Sequence, residues 1–112
     1  MGETPVELLK GTLDVLVLKA LSFGPRHGYA VSRWIHGETD GLLSVVDSAL
    51  YQALHRLERR ELVESEWGVS ENNRRAKYYA LTSSGRRRLR SESVAMRRYA
   101  EALFRVLESE RG

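Results

Sequence analysis

The chain has 112 residues, of which 42% are hydrophobic and 29% are charged, and its formal net charge is +3. This length suits one domain with a modest core. The absence of cysteine excludes disulfides and thiolate metal sites and favours a cytoplasmic location, and neither a membrane span nor a signal peptide is predicted.

Positive charge is concentrated in one quarter of the chain. Residues 74–98 contain 9 Lys and Arg residues against Glu92 alone, whereas residues 1–73 contain 7 against 11 acidic residues. A concentration of this kind indicates contact with a polyanion, although a basic run is also common on an ordinary solvated surface.

The first predicted helix begins at Thr4, with Pro5 in its first turn and Glu7 placed to close a capping box. Apolar residues at helical spacing continue it to about Ser22. Gly11 falls inside this predicted helix, where a glycine costs about 1 kcal/mol relative to alanine. Either the close approach of a second helix or simple tolerance would account for it.

A turn marked by Gly24-Pro25 leads into a short second helix, predicted from Tyr29 to about His36. We expect Trp34 to be partly exposed. The predicted core residues of this helix are Tyr29, Val31 and Ile35.

The third predicted helix, residues 47–60, has two distinct faces, and Asp47 is its expected N-cap. Leu50, Leu54 and Leu57 recur at the spacing of a core-facing stripe. The other face carries hydrogen-bonding side chains of mixed type: Ser48, Tyr51, Gln52, His55 and Arg59. Such a face suits the base edges of a DNA major groove, although a plain solvated helix face looks the same.

After Arg60 the spacing of apolar residues changes from helical to alternating. Residues 62–67 and 77–81 are predicted strands, with Tyr79 and Leu81 on one face, and the polar loop between them makes a hairpin. Candidate DNA contacts at this hairpin are Asn72, Asn73, Arg74, Arg75 and Lys77. The three basic residues suit phosphate, whereas the two asparagines suit either DNA or the turn itself.

Thr82 is predicted to cap a last helix that runs to about Glu110 and spans about 40 Å. Its apolar seam consists of Leu89, Met96, Tyr99, Ala100, Leu103, Val106 and Leu107. The rest of so small a domain cannot cover a helix of this length, so we expect a second copy of the chain to bury its far end.

The order of these elements predicts a mainly α fold with a small β-hairpin. This order of elements is typical of a winged helix-turn-helix, here over residues 1–81, followed by a dimerisation helix over residues 82–112. In such a fold the third helix enters the major groove and the hairpin, or wing, lies against the flanking backbone.

The sequence resembles the PadR family of transcriptional regulators in its short form. The resemblance extends from about Leu9 to Leu89 and rests on Leu9-Leu-Lys-Gly-Thr-Leu-Asp14, Gly24-Pro-Arg-His-Gly-Tyr29, Leu50-Tyr51, Ala53-Leu-His-Arg-Leu-Glu58 and Lys77-Tyr-Tyr-Ala-Leu-Thr82 with Gly85. The segment 67–75 is similar to the wing of a subgroup common in acidobacteria.

This resemblance implies a homodimeric repressor that binds a palindromic promoter site and is released by a small molecule or another signal. It also implies that Tyr51 and its neighbours contact DNA and that the basic wing residues touch the backbone. The chain departs from the family pattern at Ser48-Ala49, at Gln52 and at Glu61. Glu61 replaces a glycine where a left-handed cap is expected, at a cost of about 1 kcal/mol or more.

Other classes of function have weaker support. His27, His36 and His55 lie on three different elements without a partner at a catalytic or metal-binding spacing, so neither an enzyme, a metal site nor a cofactor is predicted. His27 suits a turn or helix cap. A protein-interaction module stays open, because fold alone does not fix function. So does a pocket for an aromatic or apolar small molecule near Tyr99 and Trp34.

Overall fold

The computed structural model describes Leu8 and residues 11–112 of the chain, so the predicted helix start at Thr4 lies outside the described residues. The elements are the helix α1 (Thr12–Leu21), the strand β1 (Arg26–His27), the helices α2 (Gly28–Glu38) and α3 (Asp47–Arg59), the strands β2 (Val63–Val69) and β3 (Arg75–Leu81), and the helix α4 (Ser83–Leu107). This order confirms the predicted winged helix with a long C-terminal helix.

The hydrophobic core lies where α1, α2 and α3 pack together and meet one face of the sheet. The leucines of the predicted α3 stripe, Leu50, Leu54 and Leu57, are buried there, as are Val31 and Ile35 of α2. They meet Val17, Leu18, Ala20 and Leu21 of α1 and Val63 and Tyr79 of the strands. The helical spacing in the sequence therefore identified most of the core, because each helix has a single apolar stripe.

The sheet contains three antiparallel strands in the order β1-β3-β2. In the hairpin, Val63 pairs with Leu81 at one end and Val69 with Arg75 at the other. The short strand β1 was not predicted: Arg26 pairs with Tyr79 and His27 with Tyr78. A strand of two residues has no alternation to detect, and only its neighbour in the folded chain defines it.

Several predicted details are wrong. Gly11 is not inside the described helix but precedes α1 as its N-cap, with a φ of 89° that favours glycine. Tyr29 is 62% exposed, not in the core. The N-cap of α3 is Val46, and Asp47 lies in the first turn, where its charge still suits the helix dipole. The helix α4 ends at Leu107, before Glu110.

The start of α4 is fixed against the turn between α3 and β2. Thr82 caps α4 as predicted, since its hydroxyl accepts a hydrogen bond from the N–H of Gly85 at 3.0 Å. That hydroxyl donates to the carbonyl of Glu61 at 2.7 Å, and the backbone N–H of Thr82 donates to Leu62 at 3.1 Å. Glu61 has a φ of 59°, which confirms the expected left-handed position. These bonds set the direction in which α4 leaves the domain.

Candidate nucleic-acid interface

The polar face of α3 is fully presented to solvent. Ser48, Tyr51, Gln52, His55 and Arg59 are all exposed. At 3.6 residues per turn they lie within an arc of about 100°. The opposite side of the same helix is buried, so the helix cannot rotate to hide this face without exposing its leucines. The structure thus brings the five predicted residues of α3 together on one outer surface.

Polar contacts on either side of Leu57 hold α3 in place. The Arg56 guanidinium donates to the Asp14 carboxylate of α1 at 2.7 Å. On the sheet side, the Ser65 hydroxyl donates to the Glu58 carboxylate at 2.6 Å. Because these residues alternate with the core leucines, they fix the helix about its own axis as well as along it. Pairs this exposed contribute modest stability, and their effect is mainly one of orientation.

Tyr51 does not extend freely from α3 but leans on the first turn of α2. A Cβ atom placed on Gly28 would come within 2.7 Å of the Tyr51 hydroxyl. The missing side chain of Gly28 therefore leaves the space that the phenol ring occupies. His27, as predicted, is a cap residue: its Nδ1 accepts the N–H of Ala30 at 3.1 Å. The Tyr51 hydroxyl consequently lies beside the positive end of the α2 dipole, an arrangement that suits a phosphate.

The wing turns through a tight loop of polar residues. The N–H of Asn73 donates to the carbonyl of Ser70 at 2.8 Å, and the N–H of Ser70 donates to the carbonyl of Arg74 at 2.8 Å. Asn73 has a φ of 58°, which asparagine tolerates better than most residues. Asn73 therefore serves the turn, one of the two roles that the sequence allowed. Asn72 and Arg74 are exposed at its tip.

The basic residues of the wing differ in how freely they can reach a ligand. The guanidinium of Arg75 lies 4.4 Å from the centre of the Trp67 ring, which is 58% exposed. This cation–π contact holds the charge outward on the surface of the hairpin. Lys77 points inward instead: its ammonium is 4.0 Å from the Glu58 carboxylate and lies over the Tyr79 ring. Arg74 and Arg75 are therefore better placed than Lys77 for a phosphate.

A groove of about 470 Å³ separates the wing from the helices. Its walls are the first turn of α2, the Tyr51 side chain of α3 and the hairpin from Trp67 to Tyr79. Helix α3 and the wing thus border the same concave surface. At its base, burial raises the pKa of Tyr79 above the ordinary value of 10, and the nearby Glu58 and Tyr51 add to the shift. A neutral phenol at physiological pH follows.

The predicted seam of α4 is only partly covered in the single chain. Leu89, Met96 and Ala100 are half-buried, whereas Tyr99, Leu103, Val106 and Leu107 are exposed. Phe104, which the sequence analysis did not include, is also exposed and borders an open apolar groove of about 550 Å³ between α1 and α4. The structure therefore leaves apolar surface on the last three turns of α4.

The two aromatic residues suggested for a small-molecule pocket lie on different elements. Trp34 of α2 packs against Phe23, with ring centres 5.5 Å apart, and carries the Arg26 guanidinium at 5.9 Å. Tyr99 is 65% exposed on α4. Trp34 is thus engaged with its own end of the domain.

Contacts between elements escaped the sequence analysis. The contact of Gly28 with Tyr51 joins residues far apart in the chain, and the contact of Arg75 with Trp67 joins diagonal neighbours on two strands of the hairpin. The only available signals were the Gly28-Tyr29 pair at a helix start and the register of the hairpin. Neither identifies the partner.

The described part of the chain was also considered for a metal site and for a membrane-spanning helix. Within these residues, no cluster of three or more His, Asp or Glu side chains is arranged to hold a metal ion. None of the helices in the described residues is both long enough and apolar enough to cross a bilayer.

The protein was compared with known families and structures. A structure of a PadR family transcriptional regulator from Eggerthella lenta is 31% identical, with a TM-score of 0.75, over 90% of this chain and 86% of the other. A transcriptional regulator from Clostridium thermocellum is 27% identical, with a TM-score of 0.78, over 86% and 90% of the two chains. Bacillus subtilis PadR in complex with operator DNA shares the fold, with 23% identity and a TM-score of 0.66 over 74% and 47%. The profile of the PadR-like transcriptional regulators matches residues 17–91, well over half of the chain, and the protein therefore belongs to this family.

Proposed function

We propose that this protein regulates transcription by binding duplex DNA as a homodimer, with α3 of each protomer in a major groove and the wing along the flanking backbone. The observation that carries the proposal is the shared groove. Tyr51 of the exposed polar face of α3 lines it on one side, and Arg74 and Arg75 of the wing line it on the other. Bacillus subtilis PadR, which has the same fold, forms a complex with operator DNA, and this supports DNA as the ligand.

Within this interface the side chains have different tasks. Gln52 is exposed midway along α3, and its amide can pair bidentately with adenine, so we assign it to base readout. Ser48, His55 and Arg59 flank it. Tyr51 is held beside the α2 N-terminus and is assigned to a phosphate. Arg74 and Arg75 supply salt-dependent affinity without reading sequence.

Homodimerisation is proposed from the uncovered seam of α4. A helix of 25 residues spans about 37 Å, and its C-terminal half keeps Tyr99, Leu103 and Val106 in solvent. A second copy related by a twofold axis would bury these residues. If the two α3 helices of this dimer read consecutive grooves, they lie about 34 Å apart, which fits a palindromic operator.

The regulator is proposed to act as a cytoplasmic repressor that a small aromatic or apolar molecule releases. The open groove between α1 and α4, lined by Leu16, Met96 and Phe104 among others, is the apolar surface on which such a molecule would fit. Binding in this groove would shift α4, which carries the proposed dimer seam. It would therefore change the distance between the two α3 helices of the dimer. Titration of the purified protein with a panel of aromatic compounds, read as release of bound DNA, tests this part separately.

Selection of bound sequences from random duplex DNA tests the central proposal. The expected result is a palindrome whose half-sites are one helical turn apart. Gln52→Ala should relax selection at one base pair in each half-site, at a cost of about 1–3 kcal/mol. In contrast, Arg74→Ala and Arg75→Ala should each lower the slope of log affinity against log salt by about one, with the selected sequence unchanged. Binding that is equally strong at low and high salt, or no enriched sequence, would refute the proposal.

A further inference from the structure

The positive charge of residues 74–98 is divided between two separate surfaces. The wing carries Arg74, Arg75 and Lys77, and the first sixteen residues of α4 carry six arginines with Glu92 as the only acidic residue. Arg88 pairs with Glu92 at 3.3 Å, so one arginine of the six is neutralised within the helix. The other five arginines of this stretch are Arg86, Arg87, Arg90, Arg97 and Arg98. These basic residues lie in one stretch of the sequence, whereas the fold places them on the wing and on α4.

The arginines of α4 face away from its apolar seam. At 100° per residue, Arg87, Arg90 and Arg98 lie within an arc of about 80°, roughly opposite the arc of Leu89 and Met96. All three arginines are exposed, and none makes an ion pair with a residue that the structure describes. Their charge is therefore available even when the seam is covered. We call this surface, formed by Arg87, Arg90 and Arg98, the arginine face.

The arginine face is remote from the wing tip. In the hairpin, Arg75 is at the end next to the wing turn and Leu81 is at the opposite end, where α4 begins after Thr82. At about 3.3 Å per residue, β3 alone separates these two ends by about 20 Å. Between Arg87 and Arg98 the helix itself rises by about 16 Å. We therefore expect a duplex seated on α3 and the wing turn to leave this face free.

We propose that the arginine face binds the phosphate backbone of a second duplex DNA segment, so that the protein can hold two DNA segments at once. Phosphate is the ligand because guanidinium groups pair with it in a planar, bidentate geometry. The serine hydroxyls at positions 83, 84 and 91 lie on the same half of the helix and add neutral donors of the kind found at DNA backbones. The face carries no Asn or Gln amide for bidentate pairing with adenine, and contacts to phosphate carry no sequence information, so we expect the second segment to have any sequence.

The test measures binding of two duplexes in one complex. The duplex selected with the wild-type protein is immobilised and saturated with protein, and a labelled duplex of unrelated sequence is then added. Wild-type protein should capture the second duplex at about 50 mM salt and lose most of it at about 200 mM. Arg90→Ala with Arg98→Ala should reduce the capture about tenfold or more and lower its salt slope by about two. Both residues are exposed in a helix interior, where alanine is favourable, so the fold is retained.

The matched control removes the same charge elsewhere. Arg60 and Arg111 are exposed and lie outside α4, and the variant Arg60→Ala with Arg111→Ala should capture the second duplex as wild type does. Binding of the immobilised duplex is measured separately. If α3 does not bind DNA as proposed, that measurement fails, and the result is distinct from a failure to capture the second duplex. The inference is overturned if the α4 variant captures as much as the control. It is also overturned if that variant dissociates the dimer in sedimentation, since the arginines would then serve the subunit interface.

Discussion

Gly85→Ala is expected to destabilise the protein although it introduces the best helix-forming residue into a helix. Gly85 is buried in the first turn of α4, and a Cβ there would overlap the carbonyl oxygen of Leu62. Because that oxygen belongs to the backbone, relief requires α4 to move away from the α3–β2 turn. The movement would break the bond from the Thr82 N–H to Leu62, now 3.1 Å long.

The expected magnitude follows from three contributions. Overpacking of a close contact costs about 1–3 kcal/mol. Loss of the Thr82 hydrogen bond costs about 1 kcal/mol. The helix propensity of alanine returns up to about 1 kcal/mol. The unfolding free energy should thus fall by about 1–3 kcal/mol, as measured by urea denaturation at one fixed protein concentration so that dimerisation does not shift the midpoint.

Gly37→Ala provides the control with the opposite sign. Gly37 is exposed within α2, and its added Cβ would meet no atom within 4 Å. With the same chemical change and no steric conflict, the variant should gain about 0.5–1 kcal/mol. If both variants shift in the same direction, or if Gly85→Ala is as stable as wild type, then the contact between α4 and Leu62 does not position the helix as argued.

Three further variants test other parts of the structure. Burial raises the pKa of Tyr79, so the native state resists its ionisation; the stability from this residue is complete below pH 10 and declines as the pH rises beyond it. Tyr79→Phe should therefore flatten the unfolding free energy above pH 10, and an unchanged slope would contradict the assignment. Met96→Glu with Leu103→Glu should yield monomers in light scattering, since charge is placed on the proposed seam; a persistent dimer would show that the seam lies elsewhere. Glu61→Gly, at a φ of 59°, should stabilise the protein by about 0.5–1 kcal/mol in thermal unfolding, and a loss of stability would mean that the Glu61 side chain makes a favourable contact.

Membership of the PadR-like family confirms the interpretation of the sequence as a regulator and not an enzyme. That interpretation depended on the order of elements more than on any single motif. Three helices, a hairpin and a long helix leave one polar helix face and one basic turn on the outside. The structure adds the groove between α3 and the wing, so that one ligand can contact both surfaces.

The prediction of individual residues succeeded where a residue obeys a local rule. Leu50 and Leu54 are buried because helical periodicity assigns them to one side, and Thr82 caps α4 because its hydroxyl suits the first turn. Tyr29 was misplaced because it does not share the helical spacing of the core residues of α2: it lies two residues before Val31, about 160° away from it around the helix axis, and is exposed. The buried residue of this first turn is Gly28, which has no apolar side chain to mark the core side.

The sequence by itself determined the helices, the hairpin, most of the buried stripes and the cap of α4, because these depend on residues close to each other in the chain. Only the tertiary structure decided that Tyr51 rests on Gly28, that Lys77 turns inward to Glu58, and that the basic quarter of the chain forms two surfaces instead of one. Each of these depends on how β3 and the turn before α4 place distant segments in space. The order of charged residues along the chain does not give the distance between these two surfaces. The seven residues of β3 alone separate the wing turn from the start of α4 by about 20 Å.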